Sequence, residues 1–458
     1  MEGSASLNLS LPKTLSTRRC PNGTRKLLPL QDGVADLSNL PSIPPSSRVF
    51  SDQAFIRTTH LVPAALPRSS PDVTLPTVPP PSLDRGQRNA AALEVANALV
   101  LARHKQWNGE FSGPKSTKPL WVCLNRYVRR DVLANGESKG VTLLLMPANG
   151  YPKESWEPVI SHLTNALRQA ESQGLVDEIW AWEAVNQGDA ALVNQRNLSS
   201  MFDCQDNARD MLHFMLSYMP EHPSVPALPT HLARLPDVTV RYRRSHGFQR
   251  RTVVGVGHSL GGCSLARGAV DVPSLFSSII LVEPAIVPYP RSGPVVDERA
   301  FPYVVNAVKR ESKWPSRKDA RKALRASPFF QTWDPLAFEN YVEHALCENP
   351  DPTVGGVKLK TPPVQEALGF ADVLTMYETW DLLDELDERV ELRFVVPGKQ
   401  RRREDGIREM TVWRRPKNSS NVVIPSAGHL IVQETPRELA HEIHSYLQRK
   451  YGSAVPRL

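Results

Sequence analysis

A serine within a glycine-rich pattern is the feature of this sequence that most directly indicates catalysis. Residues 257–261 read Gly-His-Ser-Leu-Gly, a G-x-S-x-G pattern that follows a valine-rich run and precedes a helical pattern beginning at Cys263. In a strand–turn–helix setting this turn lifts the serine out of the sheet edge, and the glycines are required because side chains there would collide. The helix N-terminus and the Leu260 amide favour developing negative charge. The pattern predicts that Ser259 is a nucleophile.

A serine nucleophile needs a general base at the same edge of the sheet, and His429 has the expected setting. Residues 421–436 read as a strand, a short loop that contains this histidine, and a helix. His258 stands next to the nucleophile and is the rival candidate. Adjacent side chains diverge in such a turn, so we expect His258 to pack locally and His429 to be the base.

Two carboxylates compete for the role of the acid that orients the base. Enzymes with this serine pattern often carry the acid after the seventh strand, about three residues beyond a glycine, but the residue three positions after Gly398 is Arg401. Asp405 is the first aspartate of that stretch. Glu283 stands instead at the end of the sixth predicted strand. We expect Glu283 to orient His429, and Asp405 remains the alternative.

Two backbone amides are candidates for stabilising the oxyanion of an acyl-transfer reaction. One donor of such a site follows the nucleophile, and the other follows the third strand. Residues 141–152 supply a strand and then a Gly-Tyr-Pro turn. We therefore expect the N–H groups of Tyr151 and Leu260 to form the oxyanion hole.

The scaffold that brings these residues together is predicted by alternating strand and helix patterns. From about residue 119, short apolar and β-branched runs are separated by longer helical patterns, and residues 55–62 have the composition of a first or edge strand. This alternation predicts a mostly parallel sheet with helices on both faces. The runs lie at 120–127, 141–146, 178–183, 252–256, 279–282, 392–396 and 422–424.

The spacing of these strands also predicts an inserted domain. More than a hundred residues separate the strand at 279–282 from the strand at 392–396, which is too long for a simple crossover. We expect residues 53–287 to form the N-terminal part of the core, residues 288–380 a helical cap, and residues 381–458 the C-terminal part of the core.

Aromatic side chains of the cap raise the possibility of an apolar pocket for a lipidic acyl chain. Packing within the cap core is the alternative for each of them. The residues are Trp314, Phe329, Phe330, Trp333 and Trp380.

The N-terminal segment has the composition of a chain without a core of its own. Residues 1–85 hold 13 of the 41 prolines, with serine and threonine clusters between them. Such a composition cannot bury enough apolar surface to offset the entropy of ordering. We expect residues 1–52 to be a disordered extension.

Composition excludes several classes of protein. The chain of 458 residues is 41% hydrophobic and 22% charged, and no run approaches the length of a membrane span. The net charge of +7 is dispersed, so we expect no nucleic-acid partner. Five scattered cysteines without a C-x-x-C spacing encode neither a zinc site nor a disulfide scaffold. We expect no metal or organic cofactor.

Taken together, the serine turn, the histidine loop and several further stretches resemble the α/β-hydrolase superfamily. Within it the chain resembles the fungal group of peroxisomal lipase-like hydrolases and host-selective-toxin biosynthesis hydrolases. Pro147 departs from this group, which looks to have a histidine there. The narrower match lies in residues 148–154, Gln187-Gly188 with Asn194, residues 281–284, residues 313–317 and residues 333–335.

The resemblance implies an α/β-hydrolase fold with an eight-stranded, mostly parallel sheet and a cap insertion. It implies a serine esterase that acts on a small-molecule ester or thioester through an acyl-serine intermediate. A non-catalytic binding protein with this fold and a peroxisomal acyl-CoA thioesterase remain alternatives.

The C-terminal residues Pro456-Arg457-Leu458 resemble the S-K-L peroxisomal address, and their partner would be the import receptor. We expect a peroxisomal location, with the cytoplasm as the alternative.

Overall fold

The structure is a computed structural model. It describes residues 7–12, 19–21, 23–31, 40–45, 50, 52, 54–74, 76, 84–110, 115–290, 300–351, 355–399 and 406–452. Asp405 and the C-terminal tripeptide of the sequence predictions lie outside these residues.

An eight-stranded sheet forms the centre of the molecule. Its strand order is β1-β2-β4-β3-β5-β6-β10-β11, and pairing is parallel from β4 to β11, while β1, β2 and β4 pair antiparallel. The fold class expected from the sequence is confirmed. The strands of the described residues are β1 (Phe55–Pro63), β2 (Trp121–Arg129), β3 (Val141–Met146), β4 (Val176–Glu183), β5 (Val253–His258), β6 (Ser278–Val282), β7 (Lys313–Trp314), β8 (Leu346–Glu348), β9 (Val357–Leu359), β10 (Glu391–Pro397) and β11 (Ser419–Ile424).

Helices cover both faces of this sheet, as the strand–helix alternation predicts. One face packs against α1, α5 and α7, and the other packs against α3 and α16. The helices of the described residues are α1 (Arg85–Trp107), α2 (Arg130–Asn135), α3 (Glu157–Gln169), α4 (Gly188–Val193), α5 (Cys204–Ser217), α6 (Asp237–His246), α7 (Leu260–Asp271), α8 (Phe301–Lys309), α9 (Arg317–Ala326), α10 (Pro328–Gln331), α11 (Pro335–His344), α12 (Pro363–Ala371), α13 (Leu374–Leu382), α14 (Ile407–Val412), α15 (Ile431–Glu434) and α16 (Pro436–Tyr451).

The central strands are apolar because both of their faces are covered. Every residue of β3, β5 and β6 is buried. Valine, leucine and isoleucine dominate these strands, as is typical of parallel strands between two helical layers. In the parallel register His258 pairs with Val282, and Val282 pairs with Val395. The residues that follow these positions therefore leave the sheet at one edge.

The insertion between β6 and β10 has two parts. Helices α8, α12 and α13 pack on the core helices α1 and α7. Helices α9 and α11 pack against a small antiparallel sheet of order β7-β9-β8, and α10 packs against α9. Strand pairing between Trp314 and Val357 thus adds a small sheet to the helices of the segment for which a helical cap is expected.

The described parts of residues 1–52 contact the core, which differs from the expectation of a disordered extension. Near the start of the chain, the Val423 amide donates to the Leu7 carbonyl at 2.8 Å, and the Leu9 amide donates to Asn421 Oδ1 at 2.7 Å. This stretch lies against the edge strand β11. Further along, Cys20 is buried and its amide donates to Asp381 Oδ2 at 2.6 Å. Backbone and charged side-chain contacts hold these segments without a helix or strand of their own.

No helix among the described residues combines the length and the apolar character that a membrane span requires.

Candidate active site

Ser259 occupies a strained turn between β5 and α7. Its backbone φ is 51° and its ψ is −117°, a conformation that a non-glycine residue rarely adopts. A Cβ atom on Gly257 would lie 2.6 Å from the Gly262 Cα, and one on Gly261 would collide with the carbonyl oxygens of Met146 and Pro147. Side chains at positions 257 and 261 would therefore collide with the backbone, as the sequence pattern predicts. The turn also brings the start of α7 against the end of β3.

The His429 ring lies within hydrogen-bond distance of the serine. Ser259 Oγ is 3.0 Å from His429 Nε2, in the geometry of a hydroxyl that donates to a neutral imidazole. The histidine stands on the loop between β11 and α15, and its side chain is 38% exposed. The site is thus open to solvent on the side of the base. The structure brings together the two residues that the sequence analysis paired.

Glu283 lies on the other side of the His429 ring. Its Oε1 is 4.0 Å from His429 Nδ1, while Arg408 Nη2 donates to Oε1 at 2.7 Å and Arg408 Nε donates to Oε2 at 3.1 Å. Burial alone would raise the pKa of the Glu283 carboxyl, but His429 and Arg408 outweigh it and lower the pKa. Glu283 is therefore a carboxylate that faces the base. Asp405, the alternative acid, lies outside the described residues.

The backbone of Glu283 is also constrained. Its φ is 37°, its amide donates to the Val395 carbonyl at 2.8 Å, and the neighbouring Ser259 amide donates to the Val282 carbonyl at 3.1 Å. The Ser259 bond joins the end of β5 to the end of β6, and the Glu283 bond joins the end of β6 to β10. The carboxylate and the serine consequently leave the sheet from adjacent, rigidly held positions.

His258 contributes to the site in a way that the sequence did not indicate. The side chain is fully buried and its Nε2 lies 2.9 Å from the backbone carbonyl oxygen of His429. Burial, assisted by the nearby His429, lowers the pKa of His258 to about 3. A neutral His258 with its proton on Nε2 donates to that carbonyl and supports the loop that carries His429.

The two backbone amides that we expect to form the oxyanion hole differ in whether they already donate a hydrogen bond. Leu260 is the first residue of α7, where the helix provides no acceptor for its amide. The Tyr151 amide donates a long bond of 3.3 Å to the Ala148 carbonyl, within the turn after β3. Since α7 begins against the end of β3, both amides belong to the same edge of the sheet. Their role as an oxyanion hole stays a prediction.

The cap aromatics pack mainly against one another and against this turn. The Tyr151 ring lies 5.7 Å from the Trp333 ring and 5.9 Å from the Tyr341 ring, centroid to centroid. Trp314, Phe330 and Trp333 are buried within the cap core, and Trp380 is buried in the main core. Phe329 is 51% exposed. For the four buried residues, packing accounts for the aromatic character that had indicated a pocket.

A buried cluster of charges follows the oxyanion turn directly. Lys153 is fully buried, and its Nζ lies 3.0 Å from Glu154 Oε1, 3.5 Å from Glu183 Oε2 and 2.6 Å from Asp189 Oδ2. Lys360 of the cap lies 2.7 Å from Asp189 Oδ1. Burial raises the pKa of Glu183 to about 7 against the opposing effect of Lys153. The cluster ties the turn, the end of β4 and the cap together.

In the sequence, Lys153 and Glu154 stand out only as part of the stretch at 148–154 that resembles the fungal hydrolases. A Lys-Glu pair directly after a Gly-Tyr-Pro turn was the available signal, but nothing local indicated that both side chains are buried. Among the described residues, no group of three or more His, Cys, Asp or Glu side chains is arranged to hold a metal ion.

The residues of the site lie within a stretch of the chain that matches a known sequence family. The profile of the Alpha/beta hydrolase family matches residues 143–442, a range that includes Ser259, Glu283 and His429.

Individual proteins resemble shorter parts of the chain. The abhydrolase domain-containing protein AFT2-1 of Alternaria alternata is 32% identical over 128 residues, which are 28% of this chain and 45% of that protein. The type I acyl-CoA thioesterase mpaH of Penicillium brevicompactum is 28% identical over 214 residues, which are 46% of this chain and 41% of that protein. The matched stretches thus span less than half the length of these two relatives.

A solved structure resembles the chain over most of its length. The peroxisomal alpha-beta-hydrolase Lpx1 of Saccharomyces cerevisiae superposes with a TM-score of 0.60 at 18% sequence identity. The superposition covers 89% of this chain and 92% of that chain. At this identity the likeness is one of fold.

Proposed function

Because this chain belongs to the α/β-hydrolase family, we propose that it is a serine hydrolase that cleaves a carboxylic ester or thioester through an acyl-Ser259 intermediate. The observation that carries the proposal is the 3.0 Å contact between Ser259 Oγ and His429 Nε2. The contact occurs in a turn whose strained backbone presents the serine at the sheet edge. A hydroxyl in that position, paired with a neutral imidazole, has the geometry of an activated nucleophile.

In the proposed reaction His429 Nε2 takes the Ser259 proton as the oxygen attacks the acyl carbon. The negative oxygen that develops on the substrate is stabilised by the amides of Leu260 and Tyr151. His429 then donates its proton to the leaving alkoxide or thiolate, and the acyl group stays on Ser259. A water molecule, deprotonated by His429, then attacks the acyl carbon, and His429 returns this proton to Ser259 Oγ as the bond to the acyl group breaks and the acid is released. Glu283 stabilises the imidazolium that forms in both steps.

The substrate class within this proposal is a lipidic or secondary-metabolite acyl group. An ester and a thioester differ in the leaving group, and the same serine and histidine serve both. Similarity to the acyl-CoA thioesterase mpaH supports the thioester, so an acyl-CoA thioesterase is the second candidate. Turnover of purified protein on acyl esters and acyl-CoAs of matched chain length distinguishes the two by the ratio of kcat/KM.

A fluorophosphonate probe tests the proposed chemistry without knowledge of the substrate. We expect the probe to label the native chain and to leave Ser259→Ala unlabelled. Ser426→Ala is the matched control, because Ser426 is an exposed serine on the loop that carries His429. Labelling of Ser426→Ala should equal that of the native chain. A native chain that folds but resists the probe would instead support a binding protein built on the hydrolase fold.

We also propose that the protein is peroxisomal and that Pro456-Arg457-Leu458 acts as an import signal where it stands at a free C-terminus. The sequence similarity to the peroxisomal membrane protein LPX1 of Saccharomyces cerevisiae, 22% identical over 336 residues, supports the idea. A fluorescent protein fused to the N-terminus should give punctate signal that coincides with a peroxisomal marker. The same protein fused after Leu458 should be diffuse, and diffuse signal from both fusions would refute the proposal.

A further inference from the structure

Arg408 binds the Glu283 carboxylate, which faces His429, through two hydrogen bonds. Its Nη2 lies 2.7 Å from Glu283 Oε1 and its Nε lies 3.1 Å from Oε2, so the guanidinium engages both oxygens. Both side chains are only 13% exposed. A bidentate arginine–carboxylate pair of this kind is stronger and more directional than a single contact. The Glu283 carboxylate is therefore fixed in orientation by a residue of α14.

The same carboxylate oxygen lies nearest to both Arg408 and His429. Oε1 accepts from Arg408 Nη2 and is also the atom nearest to His429 Nδ1, at 4.0 Å. In the triad template the acid stabilises the imidazolium that forms during the reaction. Here a permanent positive charge already lies against the acid, on the oxygen that points at the base.

We propose that Arg408 is a positioning residue that orients Glu283 toward His429 and weakens the stabilisation that Glu283 gives to the protonated His429 ring. The proposal rests on the proposed function, in which His429 is the base and Glu283 the acid. It assigns Arg408 two separable effects. The guanidinium fork sets the orientation of the carboxylate, and the positive charge sets the pH range in which His429 is free to accept a proton.

The direction of the second effect follows from electrostatics. The carboxylate favours the protonated ring, whereas the guanidinium both neutralises the carboxylate and repels the imidazolium. Removal of the charge therefore makes the ring easier to protonate. The His429 ring is then protonated at a higher pH, where it can no longer act as a base, and the acidic limb of the pH–activity profile moves to higher pH.

Other charged groups near His429 do not supply this effect among the described residues. His258, at the end of β5, stays neutral, since its pKa is lowered to about 3 by burial. Glu434 of α15 accepts from the Gly428 amide at 2.8 Å and lies 3.7 Å from Lys399 Nζ, so its charge is engaged beside the loop. Arg408 is the cation in direct contact with the acid.

A titration that does not depend on turnover tests the charge effect. Histidine ring signals are followed by NMR from pH 4.5 to 9, and the signal that disappears in His429→Gln identifies the ring. In Arg408→Gln we expect the midpoint of this signal to rise by about one pH unit, since the Glu283 carboxylate beside the ring is then no longer neutralised by the guanidinium. Arg408→Lys keeps the charge, so its midpoint should stay within about 0.3 units of the native value. Arg408→Met removes the same charge with a side chain of similar length, and it replaces Arg408→Gln in this test if that variant fails to fold.

Arg389→Gln is the matched control, because it removes one positive charge from an exposed arginine that pairs with Asp387. Its midpoint should equal that of the native chain. An unchanged or lowered midpoint in Arg408→Gln overturns the charge effect. So does a shift in Arg408→Lys as large as that in Arg408→Gln.

Kinetics test the orienting effect. Because a single ammonium cannot hold both oxygens of Glu283, Arg408→Lys should lower kcat about tenfold with little change in KM. Native kcat in Arg408→Lys would refute this role. Failure of the native chain to react with a fluorophosphonate would count against the proposed function alone, because the ring titration still decides what Arg408 does to His429.

Discussion

The ring of His258 supports the backbone of His429. Its Nε2 lies 2.9 Å from the His429 carbonyl oxygen, and the two rings lie 5.6 Å apart, centroid to centroid. Since burial keeps His258 neutral, its Nε2 proton remains available as a donor at any pH near neutrality. The histidine next to the nucleophile in sequence therefore positions the loop of the base and does not compete with it.

His258→Leu should lower kcat about tenfold, because leucine cannot donate to the His429 carbonyl and the loop loses its support. Steady-state kinetics measure the effect. His60→Leu is the control, because His60 is also buried, on β1, and contacts the Pro229 carbonyl and Thr58 instead of the site. We expect that control to lose thermal stability while keeping its kcat. Equal kcat in His258→Leu and the native chain would contradict the positioning role.

The same histidine should make stability depend on pH. The pKa of His258 is about 3 in the folded protein, below its ordinary value of about 6.5, so between these values the unfolded chain binds a proton that the folded chain does not. This histidine therefore lowers the free energy of unfolding as pH falls, by about 1.4 kcal/mol per pH unit below pH 6.5. His258→Leu should show a smaller fall in Tm between pH 6.5 and 5 than the native chain. Parallel curves would show that His258 is accessible to protons in the folded state.

Ser259→Ala and His429→Ala should each remove nearly all turnover, and the double variant should resemble either single one. The reason is that the two residues form one proton-transfer unit, so the second substitution has nothing left to remove. Single-turnover rates on one ester substrate measure this. Losses that add in the double variant would mean that the two residues do not share a mechanism.

Glu283→Gln should lower kcat by several orders of magnitude, because an amide cannot stabilise the imidazolium and favours the wrong tautomer. Asp405→Asn should change kcat little. The structural support for this order is the 4.0 Å separation of Glu283 Oε1 from His429 Nδ1. If Asp405→Asn lowers kcat by orders of magnitude and Glu283→Gln changes it little, Asp405 is the acid and the assignment must be reversed.

Arg25→Ala should lower Tm by about 3 °C without loss of activity. Arg25 contacts Glu378 at 2.8 Å and Asp203 at 2.7 Å, and both carboxylates are buried. Its removal takes the ion-pair partner from Glu378 and leaves Asp203 with the more distant Arg103, at 3.9 Å, which we expect to cost about 3 kcal/mol. In a chain of this length about 1 kcal/mol corresponds to 1 °C. Arg19→Ala is the control, because Arg19 is exposed and its pair with Asp384 contributes little. An unchanged Tm in Arg25→Ala would mean that the segment does not dock in solution.

The sequence by itself determined the features that depend on near neighbours. The glycines around Ser259 are required by collisions within a few residues, so the turn could be recognised directly. The predicted strand at 141–146 coincides with β3, because a continuous apolar run suits a strand that is covered on both faces. The position of His429 after the last strand followed from chain order. These signals specify the fold and the pairing of Ser259 with His429.

Only the tertiary structure decided which distant groups meet. The contact of Arg408 with Glu283 joins positions 125 residues apart, and that of Arg25 with Glu378 joins positions 353 residues apart. The small sheet of the cap likewise pairs Trp314 with Val357. The residues next to an arginine or a glutamate in the sequence do not show whether its side chain is solvated or buried against a partner. Its role is fixed by the packing of elements that the chain brings together from afar, and for that reason it cannot be read from the residues beside it.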